Sequence, residues 1–466
     1  MSVADAANRI QTVAMAPVQS DFRQSLVLPI LLAALAFNFA LCFVNTNVMG
    51  VGASMVMLVE VVLVGCAFLL VADRSQALYF VLLGIFSYVG ALMLFRGVID
   101  PKILRDLMIP VVFYSLGLKR GNLALGDRAV TWSILIVLGA ALFEWMFLDT
   151  FLKYFDVIGY YVSRGSVDAA ASTGESGLFI SGTRFEGRTL LPFLGEHRVS
   201  SVFLEPVSVG NFGAVAFAWV LSRDFHRPAA LIPKTLAIMT ILVLGDARFG
   251  MYLCGITLAL YLVAPLVRPG VIFVAPFLAI IALITYAAVK GNIAWDNTIF
   301  GRFLLAGQLI NTLDLGEAMG LVYTSTDFND SGYAYALSQL GVLGFAAIWA
   351  VFVFIRVPDG QPRRFTLFVA FYIILLLCIS VSFATIKTAA LLWFLAGICA
   401  RSPEAMAQDV RRKDFADRLK RQNAGLEHFR VSPNRENDPC LCFSAFSSRE
   451  PVSTSLENAL NLADAT

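Results

Sequence analysis

Apolar residues in this chain neither alternate nor recur every third or fourth position. They run in uninterrupted blocks, at 26–44, 51–72, 78–95, 107–118, 130–148, 202–221, 230–244, 251–267, 271–289, 333–355, 365–383 and 389–400. A helix that crosses a bilayer needs about 20 mostly apolar residues. Lipid offers backbone polar groups no partner, so spanning segments are helices or closed barrels. The pattern therefore predicts an all-α, polytopic integral membrane protein with about twelve transmembrane helices. The fourth and the last blocks are short. They extend by a turn at either end, or the fourth is re-entrant.

The blocks divide the chain into an N-terminal segment, 1–25, a membrane domain, 26–400, and a tail, 401–466. Two polar stretches inside the membrane domain are long, at 149–201 and 290–332. Loops of that length without obvious strands are functional or disordered. Lys and Arg are slightly more frequent on the side that holds the N-terminus, and the tail cluster Arg411, Arg412 and Lys413 adds to that side. The bias predicts cytoplasmic termini and both long loops outside. The first block begins only at Leu26 and others follow it, so it reads as a span and not a cleavable signal. In the tail, Met406, Val410, Phe415 and Leu419 have helical spacing among basic residues. That is the pattern of an amphipathic helix on the membrane surface, or of a solvated helix without a partner.

Composition narrows the class. Apolar residues make up 58% of the chain, charged ones 15%, and the mean hydropathy is +0.75, which excludes an ordinary soluble enzyme and excludes disorder for most of the chain. With 35 Lys and Arg against 33 Asp and Glu, no general case for nucleic acid exists. The seven cysteines support no disulfide framework, and Cys440-x-Cys442 without a His cluster is a weak metal signal. No Walker loop, dinucleotide fingerprint or HExxH motif is present. No cofactor is expected.

A few polar residues stand where lipid makes them costly. The segment 198–212 leaves the first loop and enters the sixth block, carrying Glu205 about one turn inside the boundary. Pro206 follows, and proline is cheap in a first helical turn. Glu205 is thus either a functional carboxylate at a wet helix start or a carboxylate favoured there by the helix dipole. Arg248 lies in the tight link Gly245-Asp-Ala-Arg-Phe-Gly250. Its planar fork suits a phosphate, and a snorkelling anchor is the alternative. The second loop carries Gly301-Arg302, and later Asp330 and Ser331 ahead of Tyr333. Aromatics with carboxylates suit sugars, while Asp330 or Ser331 also suits a helix cap. Arg184, Arg188, His197 and Arg198 complete the candidates, with Glu186 and Glu196 nearby. The first loop balances acids against bases, so anion binding has to come from individually placed arginines. Glu60 and Glu144, inside apolar blocks, either pair with arginines in the bundle or relay protons.

Three pieces of this sequence resemble Wzy-type polysaccharide polymerases and the related O-antigen ligases. They are the Arg198 to Asn211 segment with its Phe-Leu-Glu-Pro core, the Asp-Ala-Arg248 link, and Gly301-Arg302 followed by Asp330-Ser-Gly-Tyr and Gln339-x-Gly341-x-x-Gly344. The family often has His-Asn where this chain has Asn329-Asp330, a departure that counts against a histidine-based mechanism. The resemblance implies an inverting glycosyltransferase outside the inner membrane that polymerises undecaprenyl-pyrophosphate-linked repeat units into a surface polysaccharide. A ligase would instead move the glycan to a lipid acceptor. Membrane lipids, a chain-length regulator and export machinery are the other implied partners. Arg198, Arg248 and Arg302 would hold the pyrophosphate, with Arg184, Arg188, His197 and Tyr333 in the substrate site. Glu205 would be the general base, and Asp330 the second candidate. The rivals from another class are a lipid-linked oligosaccharide flippase and a secondary transporter. Transporters are often built from internal repeats, and no likeness between the two halves is visible here.

Overall fold

The structure, a computed structural model, describes residues 22–401 apart from 75, 169–176, 185–186, 292, 295, 297, 327 and 329–330. Most of the N-terminal segment, Glu186, Asp330, the tail helix and the Cys440 and Cys442 pair lie outside the described residues.

Each apolar block falls on a helix. In chain order these are α1 Val27–Asn47, α2 Ala53–Val71, α3 Gln76–Arg96, α4 Pro101–Arg120 and α5 Leu123–Met146. The first long loop follows with two short helices, α6 Leu148–Tyr154 and α7 Val157–Ser163. Then come α8 Pro206–Asp224, α9 Pro228–Leu244, α10 Arg248–Val263 and α11 Pro269–Lys290. The second loop contains α12 Ile299–Asn311, and α13 Gly332–Phe354, α14 Gln361–Leu376 and α15 Ile386–Cys399 close the bundle. Proline opens α4, α8, α9 and α11, where its missing N–H costs nothing.

Among the described residues, seven helices are long and apolar enough to cross a membrane. They are α1 to α3, α5, α10, α11 and α13. The chain is an all-helical, polytopic membrane protein. The fourth block takes the first of its alternatives and extends at both ends: α4 is a 20-residue helix capped by Asp100, whose side chain accepts from the Lys102 N–H. Its charged first turns made the block look short. Glu60 on α2 offsets them, at 2.9 Å from Arg105, which also lies 2.8 Å from its neighbour Asp106.

The helices that fall short of spanning by length or apolarity include the interior ones. Helices α8 and α15 are buried along almost their whole lengths. Protein surrounds them, so lipid does not require them to be uniformly apolar. Helix α15 crosses α4 at reciprocal glycines. A Cβ on Gly117 would lie 2.0 Å from the Phe394 carbonyl oxygen, and one on Gly397 2.0 Å from that of Tyr114. Small residues permit such close backbone approach inside membranes.

Helix α13 is broken at Gly341, at φ 68° and ψ 163°. The second loop fills the break: a Cβ there would lie 2.2 Å from the Met319 carbonyl oxygen. The carbonyls released by the break find donors. Arg96 donates to those of Ser338 and Gln339, both at 2.8 Å, and Tyr88 to that of Leu340 at 2.6 Å. Arg96 also reaches the Gly320 carbonyl at 2.7 Å, so one guanidinium pins the loop to the broken helix.

Candidate functional site: an arginine cavity between the two long loops

The first loop is stapled to the helices, not draped over them. Thr183 and His197 form an antiparallel bridge, flanked by Arg184 N–H donating to the Glu196 carbonyl at 3.0 Å and Arg198 N–H to that of Gly182 at 2.8 Å. Val199 N–H then donates to the carbonyl of Leu244 at 3.1 Å, at the end of α9. Glu144, fully buried near the end of α5, accepts from the Ser200 N–H at 2.9 Å and the Ser201 N–H at 2.6 Å. His197 Nε2 lies 3.1 Å from the same carboxylate. Glu144 therefore neither pairs with an arginine nor stands free as a proton relay. It is the anchor that fixes where the loop enters α8.

This folding brings both loops to one end of the bundle and encloses a cavity of about 90 Å³ between them. Arg184 and Arg198 come from the first loop, Arg248 from the start of α10, and Arg302 from the first turn of α12. Among the described residues the lining thus carries four guanidinium groups and one carboxylate, Asp246. Pro206 and Val207 bring the first turn of α8 to the wall, and Ala247 to Gly250 that of α10. Helix N-termini favour anions. Glycines let these two helices approach: a Cβ on Gly250 would lie 2.5 Å from the Gly210 carbonyl oxygen.

Each arginine is held differently. Asp246 is fully buried at φ 42°, and its Oδ1 accepts from the Leu190 N–H at 2.8 Å. Its Oδ2 lies 2.6 Å from Arg184 Nη1 without hydrogen-bond alignment, and 4.0 Å from Arg198 Nε. Arg198 donates to the Ser181 carbonyl at 2.8 Å and that of Gly245 at 3.3 Å. Burial, reinforced by the neighbouring Arg184, pulls its pKa down to about 10, so the side chain stays charged at neutral pH in a place that disfavours its charge. Arg248 is half-buried, and its side chain makes no hydrogen bond or ion pair among the described residues.

The other candidates are used elsewhere. Arg188 is buried beneath the loop and donates to the carbonyls of His197 at 2.7 Å and Leu244 at 2.8 Å, with a further contact to that of Val243. It is a staple and not a ligand group. His197 faces Glu144. Tyr333 is fully buried and donates to the Ile374 carbonyl at 3.0 Å, so it belongs to the core and offers no surface for a sugar.

Glu205 caps α8 beside the cavity without lining it. Its Oε2 lies 2.7 Å from Lys387 Nζ at the start of α15 and accepts from Ser208 Oγ at 3.0 Å. Its Oε1 accepts from Tyr161 Oη at 2.6 Å. Lys387, only 4% exposed, also donates to the Phe203 carbonyl at 3.3 Å. Sequence reasoning counted Lys387 for orientation alone and left Asp246 without a role. The only signal for either was an ionisable group within or beside an apolar block.

An adjacent face of α12 borders an apolar groove of about 300 Å³. Ile299 and Arg302 look into the arginine cavity, while Phe300 and Phe303 line the groove with Leu283 and Tyr286 of α11. Cys378 and its neighbour Ile379 are shared between groove and cavity in the same way. No protein-family model matches this chain, no curated protein is significantly similar to it, and no solved structure matches it.

Proposed function

We propose that this chain is a membrane-embedded glycosyltransferase that polymerises glycan repeat units carried on undecaprenyl pyrophosphate. The observation that carries the proposal is the meeting of four arginines from three segments in one cavity beside an apolar groove. Guanidinium groups gathered beside helix N-termini suit an anion. An apolar trough across a single helix suits a lipid attached to that anion. The pyrophosphate would occupy the cavity, and the first isoprene units the groove.

In the reaction, the bond between the sugar C1 and the pyrophosphate oxygen breaks and the lipid pyrophosphate leaves. The acceptor hydroxyl oxygen bonds to C1 from the opposite face, and its proton passes to a carboxylate. Preorganised guanidinium groups stabilise the charge that develops on the leaving oxygen. Arg248, with no other partner, is the group most available for that work. Both oxygens of Glu205 are engaged, one by a cation, which makes it a poor proton acceptor. Glu205 is therefore assigned a positioning role, and the base role passes to Asp330, which adjoins the buried helix cap Ser331.

A transporter is the weaker reading for a specific reason. The carbonyls of its broken helix are occupied by the tethered Arg96 and by Tyr88, so they offer no place for a moving ion. The test is the lipid-linked product ladder in a deletion strain complemented with Arg248→Lys. The substitution keeps the charge and loses the planar fork. Single lipid-linked repeat units should accumulate, with the variant present in the membrane at normal level. Accumulation of full-length lipid-linked polymer would make the protein a ligase. A normal ladder would remove Arg248 from the reaction.

A further inference from the structure

The far end of the bundle holds a second cavity that glycosyl transfer does not use. It encloses about 310 Å³ between the corner joining α10 to α11 and the corner joining α13 to α14. Helix α10 starts in the arginine cavity, and its 16 residues rise about 24 Å before reaching this corner. The two cavities therefore open at opposite ends.

Its walls are apolar, with Ile272 from α11, Phe352 from α13 and Ala370 from α14. Its rim is cationic, with Arg356 and Arg363. Arg363 is oriented by Asp359 at 2.8 Å and by the Val267 carbonyl at 3.3 Å. Arg356 is exposed and makes no hydrogen bond or ion pair among the described residues. Exposed Arg268 adjoins the lining residue Val267 and adds to the positive rim. Nearby, Trp349 Nε1 donates to the Ile272 carbonyl at 3.2 Å. Arginines at the ends of apolar helices mark the depth of lipid headgroups.

An apolar trough under a cationic rim at that depth selects an amphiphile with an anionic head. We infer that this cavity is a binding site for an anionic phospholipid, with an acyl chain against Ile272, Phe352 and Ala370 and the phosphate at Arg356 and Arg363. The inference stands apart from the arginine cavity at the other end and does not depend on what that cavity binds. The shared chemistry is a phosphate, and a soluble phosphorylated molecule is the other possible source.

The full chain, purified in mild detergent, would be mixed with phosphatidylglycerol or phosphatidylcholine, and the lipid retained per protein read by native mass spectrometry. Phosphatidylglycerol should be retained in preference, and Arg356→Gln should weaken retention about fivefold, the effect of one arginine near an anionic headgroup. Arg356 is exposed and unpaired, so this variant tests binding without disturbing packing. Arg363→Gln should weaken retention further. Millimolar inorganic phosphate should not displace the lipid. Equal retention of the two lipids, or retention unchanged by Arg356→Gln, would overturn the inference. Displacement by inorganic phosphate would also overturn it, in favour of a soluble anion.

Discussion

Two groups of charge occupy the same end of this bundle and follow opposite rules. Between α2, α4 and α13, and again between α8 and α15, cations are matched by carboxylates. Arg105 sits with Glu60 and Asp106, Asp106 accepts from Tyr335 at 2.9 Å, and Lys387 sits with Glu205. In the neighbouring cavity the described lining carries four arginines and one carboxylate, and the Arg248 side chain makes no hydrogen bond or ion pair among the described residues. Charge buried in a bundle is costly unless paired. The first group meets that requirement with protein groups. In the second, the Arg248 guanidinium has no such match among the described residues. The difference separates charges that hold helices together from charges kept available for a ligand.

Breaking the matched group should cost stability first. Lys387→Met leaves Glu205 without its cation, and Glu205→Gln leaves Lys387 buried and unmatched. Either change should destabilise the protein by about 3 kcal/mol, near the lower end for a broken buried pair because Glu205 is partly open to solvent. The double variant should recover most of the loss. Unfolding in detergent, followed for both single variants and the double, checks this. Losses that simply add would show that the pair is not coupled.

A smaller effect should follow at the edge of the same group. Tyr335→Phe removes one hydrogen bond to Asp106, whose other oxygen remains with Arg105. It should cost about 1 kcal/mol. The smallest effect sharpens the contrast. Arg248→Lys should change stability by less than about 0.5 kcal/mol, as a substitution away from packed and paired features does. A stability loss at Arg248 as large as that at Lys387 would abolish the distinction between the two groups.

Much of this was legible in the sequence. Block length and apolarity located the helices, because lipid imposes those features on every residue that faces it. The starts of α4 and α8 were less legible. Charged residues broke the apolar run of α4, and the block at 202–221 contains a short 3₁₀ turn and a left-handed Leu204 before its helix begins at Pro206. Arg248 was singled out as a charge between apolar runs, Arg198 and Arg302 as parts of the motif segments, and Arg184 as a residue of the first loop. Their convergence depends on how the two loops fold over each other, and no local pattern encodes that. Arg188 and His197 looked the same in sequence as their neighbours. The fold turned one under the loop and the other toward Glu144. Tyr333 shares its segment with candidate polar groups, but it faces inward from the first turn of α13.

The measurement closest to the central claim is the affinity of the purified protein for a polyprenyl pyrophosphate, compared with the polyprenyl alcohol and with free pyrophosphate. Head and tail should each contribute through adjacent parts of one site. The lipid pyrophosphate should bind more tightly than either fragment, and Arg248→Lys should weaken it while leaving binding of the alcohol unchanged. Equal affinity for the alcohol and the pyrophosphate, unaffected by Arg248→Lys, would contradict an anion site in the arginine cavity.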